Sequence, residues 1–304
     1  MGYKLVPVKG DTYYLDGAAK IGIIKNADNP LNSIVVDTGI DDDAGRRLMK
    51  IMQENGMGIG TIINTHSHAD HCGGNEIIKS RTDCKIYSPP FDKGIIEYPE
   101  LEPFYLYSAY PLKELDTKFL KAKGTKVDYI LEKGQVNIDG VLLDIIPLHG
   151  HTPAMVGVAT ADSVLFAGDS FFSKIILEKH GLPYFAGIGE SIDTLESLKH
   201  MSYDYYVPSH GDALTDPVET LDANIRLLMD IMGYINDICS KALDREEIVA
   251  QMVGRYEIKQ TIPQYYLAVS TASAFLSHMS NEGMLTTLFE DNKLKFMRKE
   301  LMNE

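Results

Sequence analysis

The sequence predicts an α/β chain that carries a small helical unit at its C-terminal end, and three observations predict it. Over the first 215 residues, short segments of buried-strand character alternate with helical segments. One strand after another runs into a His or an Asp at its C-terminal end. Beyond Asp216-Pro217 the alternation stops and the pattern becomes helix, helix, helix, hairpin. That change divides the chain into residues 1–215 and 216–304.

Residues 4–8, 12–15, 19–25 and 33–37 read as antiparallel strands punctuated by Gly10-Asp11, Asp16-Gly17 and Asn29-Pro30. A helix is expected over residues 43–54, with Leu48, Ile51 and Met52 apolar and Asn55-Gly56 ending it. Thr61-Ile62-Ile63-Asn64 reads as a buried strand, and a dense His cluster follows it directly. Residues 98–126 hold Tyr98, Phe104, Tyr105, Tyr107 and Tyr110 with three prolines; they fit neither period and form a candidate active-site flap. Strands return at 141–146, 163–167 and 205–207, with a helix near 192–201 before the last. Helices are then expected at about 218–243, at 245–253 behind an Asp244 cap, and at 264–281, followed by a hairpin of 285–289 and 294–297. This is the element order of a winged helix.

The chain is 304 residues long with 44% hydrophobic content, enough for a substantial core. Its 29 basic against 43 acidic residues give a net charge of -14, which works against binding a polyanion by bulk electrostatics. No run of about 18 apolar residues occurs, so no membrane span is expected. The N-terminal residues turn polar quickly and read as no signal peptide. Cys72, Cys84 and Cys239 are few, odd in number and scattered, which disfavours a disulfide framework and points to a reducing cytoplasm.

His66-Ser67-His68-Ala69-Asp70-His71 packs four metal-ligand side chains into six residues. Neutral imidazole and carboxylate are donors that zinc accepts, and alternate residues can direct two imidazoles at one ion while the next pair serves another. A lone His would be read as a satisfied polar residue; four potential ligands at this spacing are not.

These residues resemble the signature of the metallo-beta-lactamase superfamily, His-x-His-x-Asp-His after a strand. The resemblance continues in Gly150-His151-Thr152-Pro153, in Phe166-Ala167-Gly168-Asp169-Ser170 and in Pro208-Ser209-His210-Gly211, in the family's order. It implies a four-layer αββα sandwich with the site along one edge of the two sheets. It implies that His66, His68 and His151 hold one metal, that Asp70, His71 and His210 hold a second, and that Asp169 bridges them. Two zinc ions, or iron or manganese in their place, are the implied cofactors. Water on such a pair loses its proton near neutral pH and becomes the nucleophile, with Asp70 relaying a proton to the leaving atom.

The expected function is hydrolysis of a small ester, thioester or lactone. Nucleases and other phosphodiesterases of the superfamily share the ligands, as do persulfide dioxygenases with one iron, and these are the alternatives. Tyr105, Tyr107, Tyr110 and His149 are the candidate substrate-pocket residues, with plain packing as the competing reading. Cys72 is read as packing, and Gly73-Gly74 as a close pass of the backbone beside the ligand loop. The expected recognition helix, residues 264–281, contains no Lys or Arg, so the C-terminal unit is expected to cover the site or to form a homodimer rather than to grip nucleic acid.

Overall fold

The structure, a computed structural model, describes residues 3–299. Seven strands form a first sheet in sequence order: β1 (Lys4–Lys9), β2 (Thr12–Asp16), β3 (Ile21–Ile24), β4 (Ser33–Val36), β5 (Ile59–Ile63), β6 (Lys85–Ser88) and β7 (Tyr129–Ile130). The second sheet runs backwards through β12 (Tyr205–Pro208), β11 (Val164–Gly168), β10 (Val156–Thr160), β9 (Val141–Pro147) and β8 (Gly134–Ile138). Both sheets are mixed. β1 to β4 pair antiparallel and β4 to β7 parallel, while in the second sheet only β11 and β12 are parallel.

Alternation along the central strands explains why both sheets are covered twice. In β4, Val35 points to a core with Leu48 and Met52 of helix α1 (Asp42–Glu54), while Ile34 and Val36 point to a core shared with the second sheet. In β11, Val164 and Phe166 face that shared core, and Leu165 and Ala167 face the opposite way. The shared core is therefore the interior of a sandwich, and each outer face carries helices.

The outer helices of the first sheet include α1 and α3 (Asn75–Lys79), preceded by one turn, α2 (Ala69–Cys72), that begins inside the His cluster. Residues 90–107 form α4 (Pro90–Glu97) and α5 (Leu101–Tyr107). The flap expected at 98–126 thus begins as a helix, because Pro103 sits in its first turn, where its missing N–H removes no intrahelical bond. The second sheet is covered by α6 (Lys174–His180), which the sequence reading did not anticipate, and by α7 (Ile188–His200).

The C-terminal part holds α8 (Val218–Ile238), β13 (Leu243–Asp244), α9 (Arg245–Arg255), α10 (Ile262–Asn281), β14 (Leu285–Glu290) and β15 (Lys293–Arg298). Asp244 caps α9 as expected, within a reciprocal pair: its carboxylate accepts from Glu247 N at 2.9 Å and Glu247 accepts from Asp244 N at 2.9 Å. The first helix stops at Ile238 instead of reaching Leu243. The Cys239 carbonyl accepts from Arg298 N at 2.7 Å, and Leu243 pairs with Phe296, so sheet pairing takes the residues that periodicity assigned to the helix. No helix among the described residues is long and apolar enough to cross a membrane.

The C-terminal helices share one core with the outer face of the second sheet. Leu165, Leu195, Leu198, Leu228, Val249 and Phe275 belong to a single buried cluster. Phe275 is fully buried. Phe275→Ala should therefore lower stability by about 3–5 kcal/mol, read as a shift of the urea unfolding midpoint; a change below about 1 kcal/mol would mean that the site collapses without a cavity.

Candidate metal centre

Ligand side chains converge because the strands deliver them to one edge. β5 leads through Asn64-Thr65 to His66, β9 to His151, β11 to Asp169 and β12 to His210. Open α/β sheets place their sites beyond the carboxyl ends of strands. The ligand loop is held by buried polar contacts. Asn75 Nδ2 donates to Asn64 Oδ1 at 2.7 Å, Asn64 Nδ2 donates to the His71 carbonyl at 3.2 Å, and Thr38 Oγ1 donates to Asn75 Oδ1 at 2.8 Å. A side chain on Gly73 would place its Cβ 2.2 Å from the Ile40 carbonyl carbon, so the close pass expected at Gly73-Gly74 is required.

The seven residues singled out in the sequence fall into overlapping donor sets: His66, His68 and His151; His66, His71 and Asp169; Asp70, His71 and His210. His68 Nδ1 lies 3.1 Å from His66 Nε2 and 2.9 Å from His151 Nε2. His210 Nε2 lies 3.3 Å from Asp70 Oδ2, and His71 Nε2 lies 3.8 Å from the same oxygen. Asp169 stands between the groups, with Oδ1 3.4 Å from His71 Nε2 and Oδ2 3.5 Å from both His151 and His210 Nε2. His71 Nε2 and Asp169 Oδ1 are buried with no hydrogen-bond partner. Leaving such atoms unpaired costs on the order of 1–3 kcal/mol each, and a cation between them would satisfy both. The residues fit a pair of metal ions.

The electrostatics divide the site into two halves. Burial, reinforced by the neighbouring imidazoles, holds His66 well below the ordinary histidine value and pushes His68 down to about 3; burial also lowers His151. These three rings are neutral and have lone pairs to give. Burial also works against charge on His71 and His210, but Asp70 and Asp169, with Asp37 at His71, outweigh it and raise both. Without metal, therefore, two imidazolium rings balance two carboxylates where the second ion would sit.

Each ligand ring is oriented from behind. His71 Nδ1 donates to Asp37 Oδ2 at 2.8 Å, His151 Nδ1 to the Tyr184 carbonyl at 3.1 Å and His210 Nδ1 to the Ala18 carbonyl at 2.9 Å. His66 Nδ1 reaches Thr65 Oγ1 at 3.0 Å, whose hydroxyl donates to Asp37 Oδ2 at 2.8 Å. Asp92 on α4 accepts from Ser67 N at 2.9 Å and Thr152 Oγ1 at 3.4 Å, tying the ligand loop to the turn that carries His151. His68 Nε2 faces Glu102 Oε1 of α5 at 3.5 Å, and burial pushes the Glu102 carboxyl up to about 8.

Sequence reasoning missed Asp37, Asp92, Glu102 and Tyr184. Asp37 had a usable signal: like Asp169, it directly follows a strand buried along its whole length. The other three carry no local signature.

A cavity of about 380 Å³ opens over the ligands, with His68, Asp70, His151, Asp169 and His210 in its wall. Its other walls come from the flap (Glu102, Phe119, Leu120), from Phe172 to Tyr184, and from Leu267, Ala268 and Thr271 on α10. Tyr105, Tyr107, Tyr110 and His149, the expected pocket residues, do not line it. The Tyr105 hydroxyl donates to Glu102 at 2.8 Å, Tyr107 packs on Tyr266 at 5.1 Å between ring centroids, and Tyr110 is 92% exposed. His149 is exposed, and its carbonyl accepts from Thr194 at 2.8 Å. Tyrosine content marked the right segment, but which rings face the site was set by the turn of α5. Cys72 is buried and its Sγ donates to the Ser67 carbonyl at 3.1 Å, away from the ligand sets.

Two outcomes are expected. Asp37→Asn should weaken metal affinity by about 10–100-fold, measured by competition with a chromophoric chelator; unchanged affinity would remove Asp37 from its orienting role. The raised values of His71 and His210 mean that metal must displace protons there, increasingly as pH falls. Apparent zinc affinity should weaken as pH falls through the raised values of these two rings, with more protons released on loading below them than above. Calorimetry in buffers of different ionisation enthalpy reads this, and pH-independent release would contradict it.

A sequence profile of the Metallo-beta-lactamase superfamily matches residues 27–210, more than half of the chain. A "Beta-lactamase-like protein 2 homolog" of Drosophila melanogaster is 24% identical over 196 residues, which are 62% of this chain and 58% of that protein. A hydroxyacylglutathione hydrolase of Rhodospirillum rubrum is 27% identical over 188 residues, 59% of this chain and 61% of that one. The chain thus spans about six tenths of the length of these two relatives. A metallo-beta-lactamase family protein of Thermus thermophilus superposes with a TM-score of 0.73 at 16% identity, covering 98% of this chain and 99% of that one. A beta-lactamase domain protein of Burkholderia ambifaria gives 0.75 at 18% identity, covering 97% and 94%. Both superpositions extend over the C-terminal helices as well as the two sheets. The profile match over more than half of the chain, together with the His and Asp donor sets, places the chain in the metallo-beta-lactamase superfamily.

Proposed function

We propose that the protein hydrolyses a small ester, thioester or lactone with two divalent metal ions, zinc by the chemistry of the donors, one held by His66, His68 and His151 and the other by Asp70, His71 and His210. The observation that carries this reading is that both donor sets, with Asp169 between them, open onto one cavity large enough for a small molecule. Bound there, the ions would acidify water and polarise the scissile carbonyl.

The chain's own groups then have separable roles. His66, His68 and His151 stay neutral because they are buried, so they orient without competing for protons. Asp169 touches both halves and fixes their spacing. Asp70 places Oδ2 beside His71 and His210 and lines the cavity, where it would carry a proton to the leaving atom. Phe172, Leu267 and Ala268 exclude water from the far wall.

The one-iron dioxygenase alternative shares these ligands, and metal content together with oxygen consumption separates it from the two-metal hydrolase. The phosphodiester reading is disfavoured by the cavity itself, which has no Lys or Arg among its lining residues to meet a phosphate. One relative is named a hydroxyacylglutathione hydrolase, which supports hydrolysis of an acyl group. We read the C-terminal part as a winged-helix-like unit, from its helix, strand, helix, helix, strand, strand order and the central place of β15 between β13 and β14. It serves here as a cover for the active site.

Metal analysis after native expression should return about two zinc ions per chain. A screen of aryl esters, thioesters, lactones and phosphodiesters should show hydrolysis of the carbonyl substrates, lost with chelator and restored by zinc. Asp169→Ala should reduce turnover to background. Retained turnover in that variant would sink the bridged two-metal reading, and one iron with oxygen consumption would sink hydrolysis.

A further inference from the structure

Away from its metal-ligating floor, the cavity is mostly apolar and carries no Lys or Arg; His180, Tyr184, Gln264 and Thr271 are its polar residues beside Glu102. Phe119 and Leu120 of the flap, Ile176 of α6 and Ile258, Leu267 and Ala268 of the C-terminal part form its walls, with no Lys or Arg among the lining residues. The carboxyl group in the wall outside the ligand set is Glu102, whose Oε2 is buried without a hydrogen-bond partner. A carboxylate or phosphate on the bound molecule would lose its hydration there and meet no Lys or Arg, a cost that the side-chain donors of His180, Tyr184, Gln264 and Thr271 return only in part. An aliphatic chain meets the opposite situation, since each methylene placed against Leu267 or Ile176 leaves water for an apolar surface.

The geometry points to an uncharged substrate with an unbranched aliphatic arm, seated between the flap and α10 with its reacting carbonyl at the ligand set. This rests on the hydrolase reading above and narrows its substrate class. At roughly 30 Å³ per heavy atom, by analogy with liquid water, a volume of about 380 Å³ holds about a dozen atoms, a carbonyl head plus an arm of about eight carbons. Leu267 and Ala268 are adjacent on α10, so the C-terminal part sets arm length and polarity while the strand ends set the reaction.

Binding and turnover test this separately. For binding, straight-chain alkyl hydroxamates from acetyl to dodecanoyl are titrated calorimetrically into the zinc-loaded protein, because the head seeks metal and the tail probes the wall. Affinity should rise about three- to fourfold per methylene and level off near eight carbons. An eight-carbon hydroxamate ending in a carboxylate should bind at least about 100-fold more weakly than its methyl-ended counterpart. Leu267→Lys should narrow or invert that ratio; if this variant fails to fold, Ile176→Lys, also half-buried, is read the same way. A flat chain-length series, failure of every hydroxamate to bind, or preference for the carboxylate-ended probe in the unmodified protein would overturn the proposal. Turnover of p-nitrophenyl esters of the same chain lengths is the second arm. An intact binding gradient without turnover of any ester would sink the hydrolase reading and leave the pocket assignment standing.

Discussion

One buried carboxylate organises both halves of the metal centre. Asp37 stands just past the end of β4 in a left-handed backbone conformation, φ 64°, and is 2% exposed. Its Oδ1 accepts from Thr65 N at 2.8 Å, and its Oδ2 accepts from Thr65 Oγ1 and from His71 Nδ1, each at 2.8 Å. Through Thr65 it reaches His66 in one donor set, and directly it reaches His71 in the other. A histidine binds metal through one nitrogen only if the other is engaged in the right tautomer. A single acceptor therefore fixes the tautomer of a ligand on each side and pins the loop between them. The strained backbone at Asp37 persists because three donors hold its side chain.

The legible part of the site was the part written in contiguous residues. His66, His68, Asp70 and His71 lie within six positions, and His151, Asp169 and His210 each follow a strand, so local pattern and strand order were enough to single them out. Asp37 follows the same rule, but it has no second ligand beside it to set it apart from an ordinary turn carboxylate. Glu102 and Tyr184 meet through the Tyr105 hydroxyl, 2.8 Å from the one and 3.4 Å from the other, and their placement depends on the packing of α5 against α10, which no short window of sequence contains. The tyrosines of residues 98–110 show the converse failure. Composition located a segment that borders the site, but Tyr107 and Tyr110 turn away from it, and Phe119 and Leu120, twelve and more residues past Tyr107, do the lining.

Fold legibility followed the same division. Strands buried on both faces were readable from β-branched runs such as Ile34-Val35-Val36, because alternation has a fixed period. The end of α8 was not readable, because Leu243 satisfies either a helix face or the edge of β15. A partner fifty residues away decides between them. Short helices such as α6 are set by what they pack on and leave little periodic trace.

The C-terminal part is joined to the rest chiefly by apolar burial, with the ion pairs Lys174–Glu219 and Lys199–Asp222 at the surface beside it. Its helices share a core with β11 and α7, and α10 is free of Lys and Arg along its length. An uncharged helix suits a cavity wall over the His and Asp donor sets, since a fixed cation there would oppose a bound metal ion through a low-dielectric gap. The same absence makes the helix unsuited to phosphate backbones. In the hydrolase we propose, this lack of cations would leave the metal centre the positive potential that attracts a carbonyl oxygen. The chain's acidic surplus does not interfere, because the carboxylates nearest the site are engaged by histidines. The acid facing the cavity from the flap, Glu102, is buried deeply enough to favour its neutral form.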